Sequence, residues 1–169
     1  MSRAKFVGLG VRTSKGGKGV FIHDRVAAGT PILEFTGKRF GPEVIDKVVM
    51  FNKRDYYLQV ERELFMGPSG YMDDYVNHSC NPNCGLEFDN GRIIMKSLRN
   101  ISFGTELTID YATTQSGFPL RFFCRCGDRL CRGDIGNFDE IPHSRQLYYV
   151  DRNVVAPYLL NGHRRTKTG

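Results

Sequence analysis

Hydrophobic and polar positions alternate in short runs along most of this chain. Short runs rich in Val, Ile and Phe and bounded by Gly, Pro or Asn are typical of β-strands. The strongest signal is Asp89-Asn90-Gly91 between two apolar runs. It predicts a hairpin, because both central positions of such a turn favour positive φ. The predicted strands are residues 6–12, 20–22, 31–35, 56–60, 84–88, 92–98 and 106–111.

Two stretches have helical spacing instead. The first is residues 42–51, where one face carries Val44, Ile45, Val48 and Val49. The second is residues 144–160, broken at Pro157, where one face carries Leu147, Val150, Val154 and Tyr158. Residues 124–136 hold too many Cys, Gly and charged residues for a regular element. The chain is therefore expected to be mostly β, with few helices and a C-terminal helix.

The composition fits one ordinary globular domain. The chain has 169 residues, 40% hydrophobic and 25% charged, which is enough to bury a core. Its 19 glycines and 7 prolines favour a turn-rich β fold over a helical bundle. No apolar run approaches the roughly 20 residues that span a bilayer, and no apolar segment follows the basic start. We therefore expect an intracellular protein with no membrane contact.

Both ends of the chain are basic, and the net charge is +6. The first 23 residues contain no acid, and residues 163–167 read His-Arg-Arg-Thr-Lys. A basic surface suits nucleic acid or chromatin, and it equally serves as a solubilising surface. A charge of this size does not separate the two interpretations.

Three of the five cysteines are closely spaced. Cys124, Cys126 and Cys131 form a C-x-C-x4-C cluster among charged residues, a poor setting for buried thiols. Three thiolates can supply three corners of a tetrahedral zinc site, and a closed site with four protein ligands is structural. The spacing leaves the fourth ligand open between Cys80, Cys84 and a histidine.

Two other features carry little information alone. Gly17-Lys18-Gly19 would let a backbone approach a ligand closely, although a simple hairpin turn also explains it. It is not a phosphate loop, because no Ser or Thr follows the lysine. Most tyrosines are packing residues, so spacing alone selects no catalytic one. The candidates are Tyr56, Tyr57, Tyr71, Tyr75 and Tyr111.

Three motifs follow one another along the chain. They are residues 77–83 (Asn-His-Ser-Cys-Asn-Pro-Asn), residues 106–111 (Glu-Leu-Thr-Ile-Asp-Tyr) and the cysteine loop of residues 124–133. In order and separation they resemble the SET-domain lysine methyltransferases with their post-SET zinc loop. The resemblance covers about residues 6–136. It implies a fold of short twisted sheets with a pseudoknot, in which the Asn-His-Ser-Cys segment passes near the final strand.

Together with the helical spacing near the end, the resemblance implies a division of the chain. A SET domain would occupy residues 1–112 and a post-SET zinc loop residues 113–136. A C-terminal helical extension would occupy residues 137–160, and residues 161–169 would form a disordered tail. We use the name C-terminal extension for residues 137–160 below.

The resemblance also implies roles for individual residues. The backbone of Gly17, Lys18 and Gly19 would hold the methionine end of S-adenosylmethionine. Asn77 and His78 would contact its adenosine part. Tyr111 would be the catalytic tyrosine, and Tyr57 a second active-site tyrosine beside the cofactor. One structural zinc ion would be bound by Cys80, Cys124, Cys126 and Cys131, which leaves Cys84 as a free thiol.

The implied reaction is methyl transfer to an exposed lysine of a histone tail or another basic protein. A lysine ammonium, with a pKa of about 10.4, must lose a proton before it can attack a methyl group. The location would be the nucleus and its chromatin in a eukaryote, or the cytoplasm in a bacterium. The alternative is a catalytically weak zinc module of the same fold that binds chromatin or nucleic acid, with the basic termini in contact with nucleic acid.

Two departures from the family pattern matter. There is no cysteine before Cys80, so the pre-SET zinc cluster of some members is not expected. Ile109 stands two residues before Tyr111, where the family usually has Phe or Tyr and limits the number of methyl groups added. Because Ile is slimmer and has no hydroxyl, we expect di- or trimethylation to fit.

Overall fold

The computed structural model describes residues 7–15, 17–44, 57–117 and 121–162. Within these ranges twelve short strands form five sheets of two or three strands each. The strands are β1 (Leu9–Ser14), β2 (Gly17–Ile22), β3 (Pro31–Phe35), β4 (Arg39–Phe40), β5 (Leu58–Glu61), β6 (Leu64–Met66), β7 (Asn77–His78), β8 (Cys84–Asp89), β9 (Arg92–Ser97), β10 (Thr108–Ile109), β11 (Phe122–Phe123) and β12 (Asp134–Ile135).

Helices are few in the described part of the chain, as expected. One α-helix, α1, spans His143–Asp151. Short 3-10 helices span Met72–Tyr75, Tyr111–Thr114, Phe138–Glu140 and Pro157–Gly162. Residues 42–44 are helical, and the remainder of the helix predicted over residues 42–51 lies outside the described residues, as do Tyr56 and residues 163–169 of the predicted tail. None of the helices described has the length and apolar composition needed to cross a membrane.

Neighbouring strands pair mainly as antiparallel hairpins. β1 and β2 form one antiparallel hairpin, and β8 and β9 form another that is extended by β3. The remaining sheets are β4-β6-β5, β11-β12 and β7-β10. This arrangement of small sheets confirms the mostly β fold class.

The hairpin predicted at Asp89-Asn90-Gly91 is present. Asp89 pairs with Arg92 in the register of β8 and β9. Asn90 has φ 46° and Gly91 has φ 79°, so both central positions adopt the left-handed conformation that an Asn-Gly pair tolerates. The local sequence is therefore sufficient to set this register.

The parallel pair of β7 and β10 brings distant motifs together. Asn77 lies opposite Thr108 and His78 opposite Ile109. The Ser79 backbone N–H donates to the Ile109 carbonyl over 2.9 Å, which continues the contact beyond the strands. The segment 77–80 thus passes beside the last strand before Tyr111, as the resemblance implied.

The core has two parts. The larger one lies between the sheets and includes Ile22, Leu86, Met95 and Leu107. The smaller one lies beneath α1 and includes Ile135, Phe138, Tyr149 and Val154. The parts meet at Gly85 of β8, where an added Cβ would come within 2.7 Å of Val154. A residue without a side chain there lets the C-terminal extension pack directly on the sheet.

Several sequence-based expectations were wrong in detail. The strand predicted over residues 6–12 is observed as β1, Leu9–Ser14. Residues 106–111 form only the two-residue strand β10, which pairs with β7. Glu106 makes an isolated bridge to Phe21, and a 3-10 helix begins at Tyr111. Residues 124–136, expected to be irregular, end in β12, which pairs with β11. The predicted face of the C-terminal helix is also not the buried one. In α1 the buried side chains are Gln146 and Tyr149, and Leu147 is 45% exposed. The chain leaves the helix at Asn153 with φ 55°, so a loop, not the helical period, places Val154 in the core.

The hairpin gives a first testable prediction. Gly91→Ala should lower the free energy of unfolding by about 1 kcal/mol or more, because a side chain is strained at its positive φ. Gly91→Asn, which tolerates this conformation better, should lose less. Urea unfolding followed by circular dichroism measures both, and equal stability of the two variants would contradict the prediction.

Candidate active site and metal centre

The four predicted metal ligands come from two distant segments. Cys80 follows β7, while Cys124, Cys126 and Cys131 lie on the loop between β11 and β12. All four Sγ atoms lie within 4.8 Å of one another, and Sγ of Cys80 is 3.8 Å from Sγ of Cys124. Four thiolates at about 2.3 Å around a tetrahedral zinc ion would lie about 3.8 Å apart. The cluster therefore fits a closed zinc site with no open position for chemistry.

Backbone donors point at the sulfurs of this cluster. The Cys126 N–H donates to Sγ of Cys124, and the Arg132 N–H donates to Sγ of Cys80, each over 3.3 Å. Hydrogen bonds of this kind favour the thiolate, which is the form that binds a metal.

Cys84 is in a different environment. It begins β8 in the larger core with no solvent exposure, and burial raises the pKa of its thiol to about 12. The cluster of four sulfurs does not include it.

A buried carboxylate lies directly before Tyr111. The Asp110 side chain has no solvent exposure and accepts two hydrogen bonds from the Arg132 guanidinium, Nη1 to Oδ2 over 2.7 Å and Nη2 to Oδ1 over 2.8 Å. The Tyr149 hydroxyl donates to Oδ2 over 2.9 Å, and the Ala112 N–H donates to Oδ1 over 3.2 Å. Such pairing and hydrogen bonding are what a buried charge requires.

His78 lies between Tyr111 and the cysteine cluster. Its Nδ1 accepts a hydrogen bond from the Tyr111 backbone N–H over 3.2 Å, and its Nε2 is 3.4 Å from Sγ of Cys80. Burial lowers the pKa of His78 to about 4, despite the opposing effect of Asp110. The ring is therefore neutral near pH 7. Since Nδ1 is an acceptor, the proton is on Nε2, which faces the sulfur.

Gly17-Lys18-Gly19, which we call the glycine turn, forms the start of β2 directly after the connection from β1, and it is fastened to β7. The Asn77 side-chain amide donates to the Lys18 carbonyl over 2.9 Å and to Oε1 of Glu106 over 2.7 Å. The Glu106 carboxylate also lies against Gly19, where an added Cβ would collide with it. Gly17 has φ 115°, which a residue with a side chain rarely adopts. Both glycines are thus needed for the turn to approach β7.

An apolar cavity lies beside these groups, and both Tyr57 and Tyr111 line it. The Tyr111 hydroxyl donates to the Val76 carbonyl over 2.8 Å. Phe122 of β11 also lines the cavity, with its ring 5.9 Å from that of Tyr111. The segment of residues 122–133, which carries three of the four clustered cysteines and which we call the metal loop, therefore contributes part of the cavity wall. Other lining residues are Phe35, Leu58, Met66, Ile109, Asp73 and Asp74.

The structure thus brings the predicted site residues into one region. The glycine turn and Asn77 form one contact, Tyr57 and Tyr111 share a cavity, and the four cysteines converge. Sequence reasoning missed Glu106, Asp110, Phe122, Arg132 and Tyr149. Two of them carried a usable signal, because Asp110 is an acid in an apolar run and Arg132 directly follows the third clustered cysteine. Tyr149 carried none.

Comparison with known proteins identifies the family. The model described as "SET domain" matches residues 17–112, which is more than half of the chain. The chain therefore belongs to the SET domain family. The family and the fold expected from the three motifs are both confirmed.

Individual relatives are similar over most of this chain. "Histone-lysine N-methyltransferase ASHH3" of Arabidopsis thaliana is 28% identical over 137 residues, which is 75% of this chain and 37% of that protein. "Histone-lysine N-methyltransferase SETD1B" of Homo sapiens is 27% identical over 134 residues, 69% of this chain and 6% of that protein. The crystal structure of KRYPTONITE in complex with mCHG DNA and SAH has a TM-score of 0.61 and 25% identity, over 79% of this chain and 30% of that one. The chain spans well under half the length of each.

The cysteine geometry gives a second prediction. The protein should contain about one zinc ion per chain, and Cys80→Ser should remove it, because a thiolate at one corner of the tetrahedron is lost. Cys84→Ala is the matched control, since Cys84 is four residues away and outside the cluster, and it should keep the metal. Elemental analysis by mass spectrometry reads both. Zinc lost from the Cys84 variant and kept by the Cys80 variant would contradict the assignment.

Proposed function

We propose that this chain transfers methyl groups from S-adenosylmethionine to a lysine side chain of a protein. The observation that carries the proposal is the pair Tyr57 and Tyr111 in one apolar cavity, directly beside the contact between β7 and the glycine turn. Membership of the SET domain family and relatives that are named histone-lysine N-methyltransferases support it.

S-adenosylmethionine, when bound, supplies a methyl group activated by a sulfonium cation. We propose that the backbone of residues 17–19 holds its methionine end and that Asn77 and His78 hold its adenosine part. The turn of Gly17 and Gly19 leaves its backbone without side chains, which supports close approach of a ligand. Because both ring nitrogens of His78 have partners, its main chain is the part that would contact the cofactor.

Tyr111 is the proposed catalytic residue, and its hydrogen bond determines what it can do. The hydroxyl donates its proton to the Val76 carbonyl, so toward a lysine amine it acts as an acceptor. An acceptor fixed in this way holds an amine N–H and thereby turns the nitrogen lone pair in one direction. Alignment of this kind is the main contribution available to the protein, since methyl transfer needs no covalent intermediate.

The cavity wall suits a lysine side chain and its methylated product. The faces of Tyr57 and Tyr111 can hold a methylated ammonium by cation–π contact, and Phe122 helps to exclude water. Asp73 and Asp74 place negative charge in the wall of a protein that is basic overall, which favours entry of a cationic side chain.

Zinc would have a structural role in this proposal. The metal would be held by Cys80, Cys124, Cys126 and Cys131 and would order the loop that carries Phe122. Its contribution to catalysis would thus be indirect, through the shape of the cavity.

A histone tail or another basic protein is the proposed substrate, and chromatin the proposed location in a eukaryotic cell. The names of the relatives in Arabidopsis and in humans support both.

Methyl transfer to histones tests the proposal directly. The protein is incubated with core histones and S-adenosylmethionine carrying an isotope-labelled methyl group, and labelled lysines are mapped by mass spectrometry. Tyr111→Phe should reduce the rate at least about a hundredfold, because it removes the acceptor that aligns the amine. Tyr148→Phe, on α1 away from the cavity, should be as active as the wild type. Wild-type protein that binds DNA or nucleosomes but labels no lysine would instead favour the zinc-module alternative.

The residue at position 109 gives a further prediction about the product. Ile109 lines the cavity and is smaller than the aromatic residue usual there, so we expect the wild type to form di- or trimethyl-lysine. Ile109→Tyr should shift the product toward monomethyl-lysine by filling that space, and Ile109→Val should leave it unchanged. Mass spectra of a peptide substrate at completion give the distribution. Only monomethyl product from the wild type would show that Ile109 does not admit further methyl groups.

A further inference from the structure

The C-terminal extension contacts both ends of the segment that carries Tyr111. That segment, residues 110–115, consists of Asp110, the 3-10 helix Tyr111–Thr114 and Gln115, and we call it the Tyr111 turn. A 3-10 helix of this length has poor hydrogen-bond geometry and little stability of its own. The position of Tyr111 therefore depends on what the rest of the chain supplies to the turn.

The start of the Tyr111 turn is held through Asp110. Its side chain is the N-cap, accepting the Ala112 N–H over 3.2 Å, and it also accepts the Tyr149 hydroxyl from α1 over 2.9 Å. Tyr149 is 1% exposed, and burial raises the pKa of its hydroxyl well above the ordinary value, so it remains a donor. A residue of the extension thus fixes the orientation of the cap.

The end of the Tyr111 turn is held by the same extension. The last carbonyls of a helix lack partners within it. Here the Ala156 N–H donates to the Thr113 carbonyl over 3.0 Å, and the Tyr158 hydroxyl donates to the Thr114 carbonyl. The carbonyl that follows, that of Gln115, accepts from the Phe138 N–H over 3.0 Å.

The extension is itself anchored to the sheet and to the segment after β7 that carries Cys80. Val154 packs against Gly85 of β8. The Arg145 guanidinium donates to the Cys80 carbonyl over 3.0 Å and to Oδ1 of Asn81 over 2.9 Å. Because it is anchored in this way, the extension holds the Tyr111 turn in a fixed position relative to the sheet and to Cys80 of the cysteine cluster.

We propose that the C-terminal extension is a positioning element of the methyl-transfer site, and that Tyr149 and Tyr158 are positioning residues that act through the Tyr111 turn. This inference rests on the proposed function, in which Tyr111 aligns the lysine amine. The extension lies wholly beyond residues 17–112, the part that matches the SET domain family model. Its contribution therefore does not follow from the family match.

The test uses full-length Tyr149→Phe, Tyr158→Phe and the double variant. Each change removes one hydroxyl and keeps the aromatic ring, which for Tyr149 packs in the smaller part of the core. Tyr148→Phe is the matched control, because Tyr148 adjoins Tyr149 on α1 while its ring lies against Arg145 and Arg152. The values of kcat and KM for S-adenosylmethionine and for a lysine peptide are measured well below the melting temperature. Rates are divided by the number of binding sites for S-adenosylhomocysteine (SAH), the product of S-adenosylmethionine, counted by titration. Unfolded protein therefore does not lower the measured rate.

The proposal predicts a decrease in kcat of about tenfold for each single variant and a larger one for the double variant, because small displacements of an aligning group have large effects on rate. Both KM values, the number of SAH-binding sites per folded chain and the zinc content should stay within about twofold of the wild type. The Tyr148 variant should match the wild type throughout.

Two results would overturn the proposal while leaving the proposed function intact. One is a double variant whose kcat per binding site is within about twofold of the wild type, when Tyr111→Phe is inactive. The other is a rise in KM with kcat unchanged, which would show that the extension acts on binding. A wild type that binds SAH but transfers no methyl group would overturn the proposed function, and the inference with it.

Discussion

Asp110 is a carboxylate with no solvent exposure, and three separate parts of the chain contribute to its stabilisation. Arg132 comes from the metal loop, Tyr149 from the C-terminal extension, and the Ala112 N–H from the Tyr111 turn itself. Removing one partner of a buried ion pair costs about 3–5 kcal/mol, which is a large share of the 5–15 kcal/mol that stabilises a typical domain. The three parts are therefore expected to fold and to loosen together.

The metal loop and the cavity are linked through the same region. The Arg132 guanidinium donates hydrogen bonds to Asp110, and its backbone N–H donates one to the sulfur of Cys80. His78 lies between that sulfur and the backbone of Tyr111. Phe122, two residues before Cys124, lines the cavity itself. A closed metal site can in this way shape a binding cavity although it offers no open position of its own.

Local sequence information predicted the features that depend on neighbouring residues. The hairpin was predictable because Asn90 and Gly91 both tolerate positive φ, and the cysteine loop was predictable from the close spacing of three cysteines. The distinction between Cys80 and Cys84 was not local. The two are four residues apart, yet one faces the cluster and the other the apolar core, and only the family resemblance separated them.

The features that were missed depend on long-range packing. Tyr149 meets Asp110 across 39 residues, and no periodicity in the sequence marks that contact. The buried face of α1 was wrongly assigned because Asn153, with positive φ, turns the chain out of the helical period before Val154. The length of β10 was overestimated because it is limited by its partner β7 on the opposite motif. Tyr149 and β7 act from distant segments, whereas Asn153 is a local turn that the helical period does not reveal.

We propose that a cofactor site on β7 and the glycine turn meets a lysine cavity at Tyr111. A crystal structure with SAH and a lysine peptide tests it most directly. We expect the lysine Nε within about 3 Å of the Tyr111 hydroxyl oxygen, between the rings of Tyr57 and Tyr111. We expect SAH on the backbone of residues 17–19 and 77–78, with its sulfur facing that nitrogen. SAH bound elsewhere on the protein, or a lysine side chain lying outside the cavity, would contradict it.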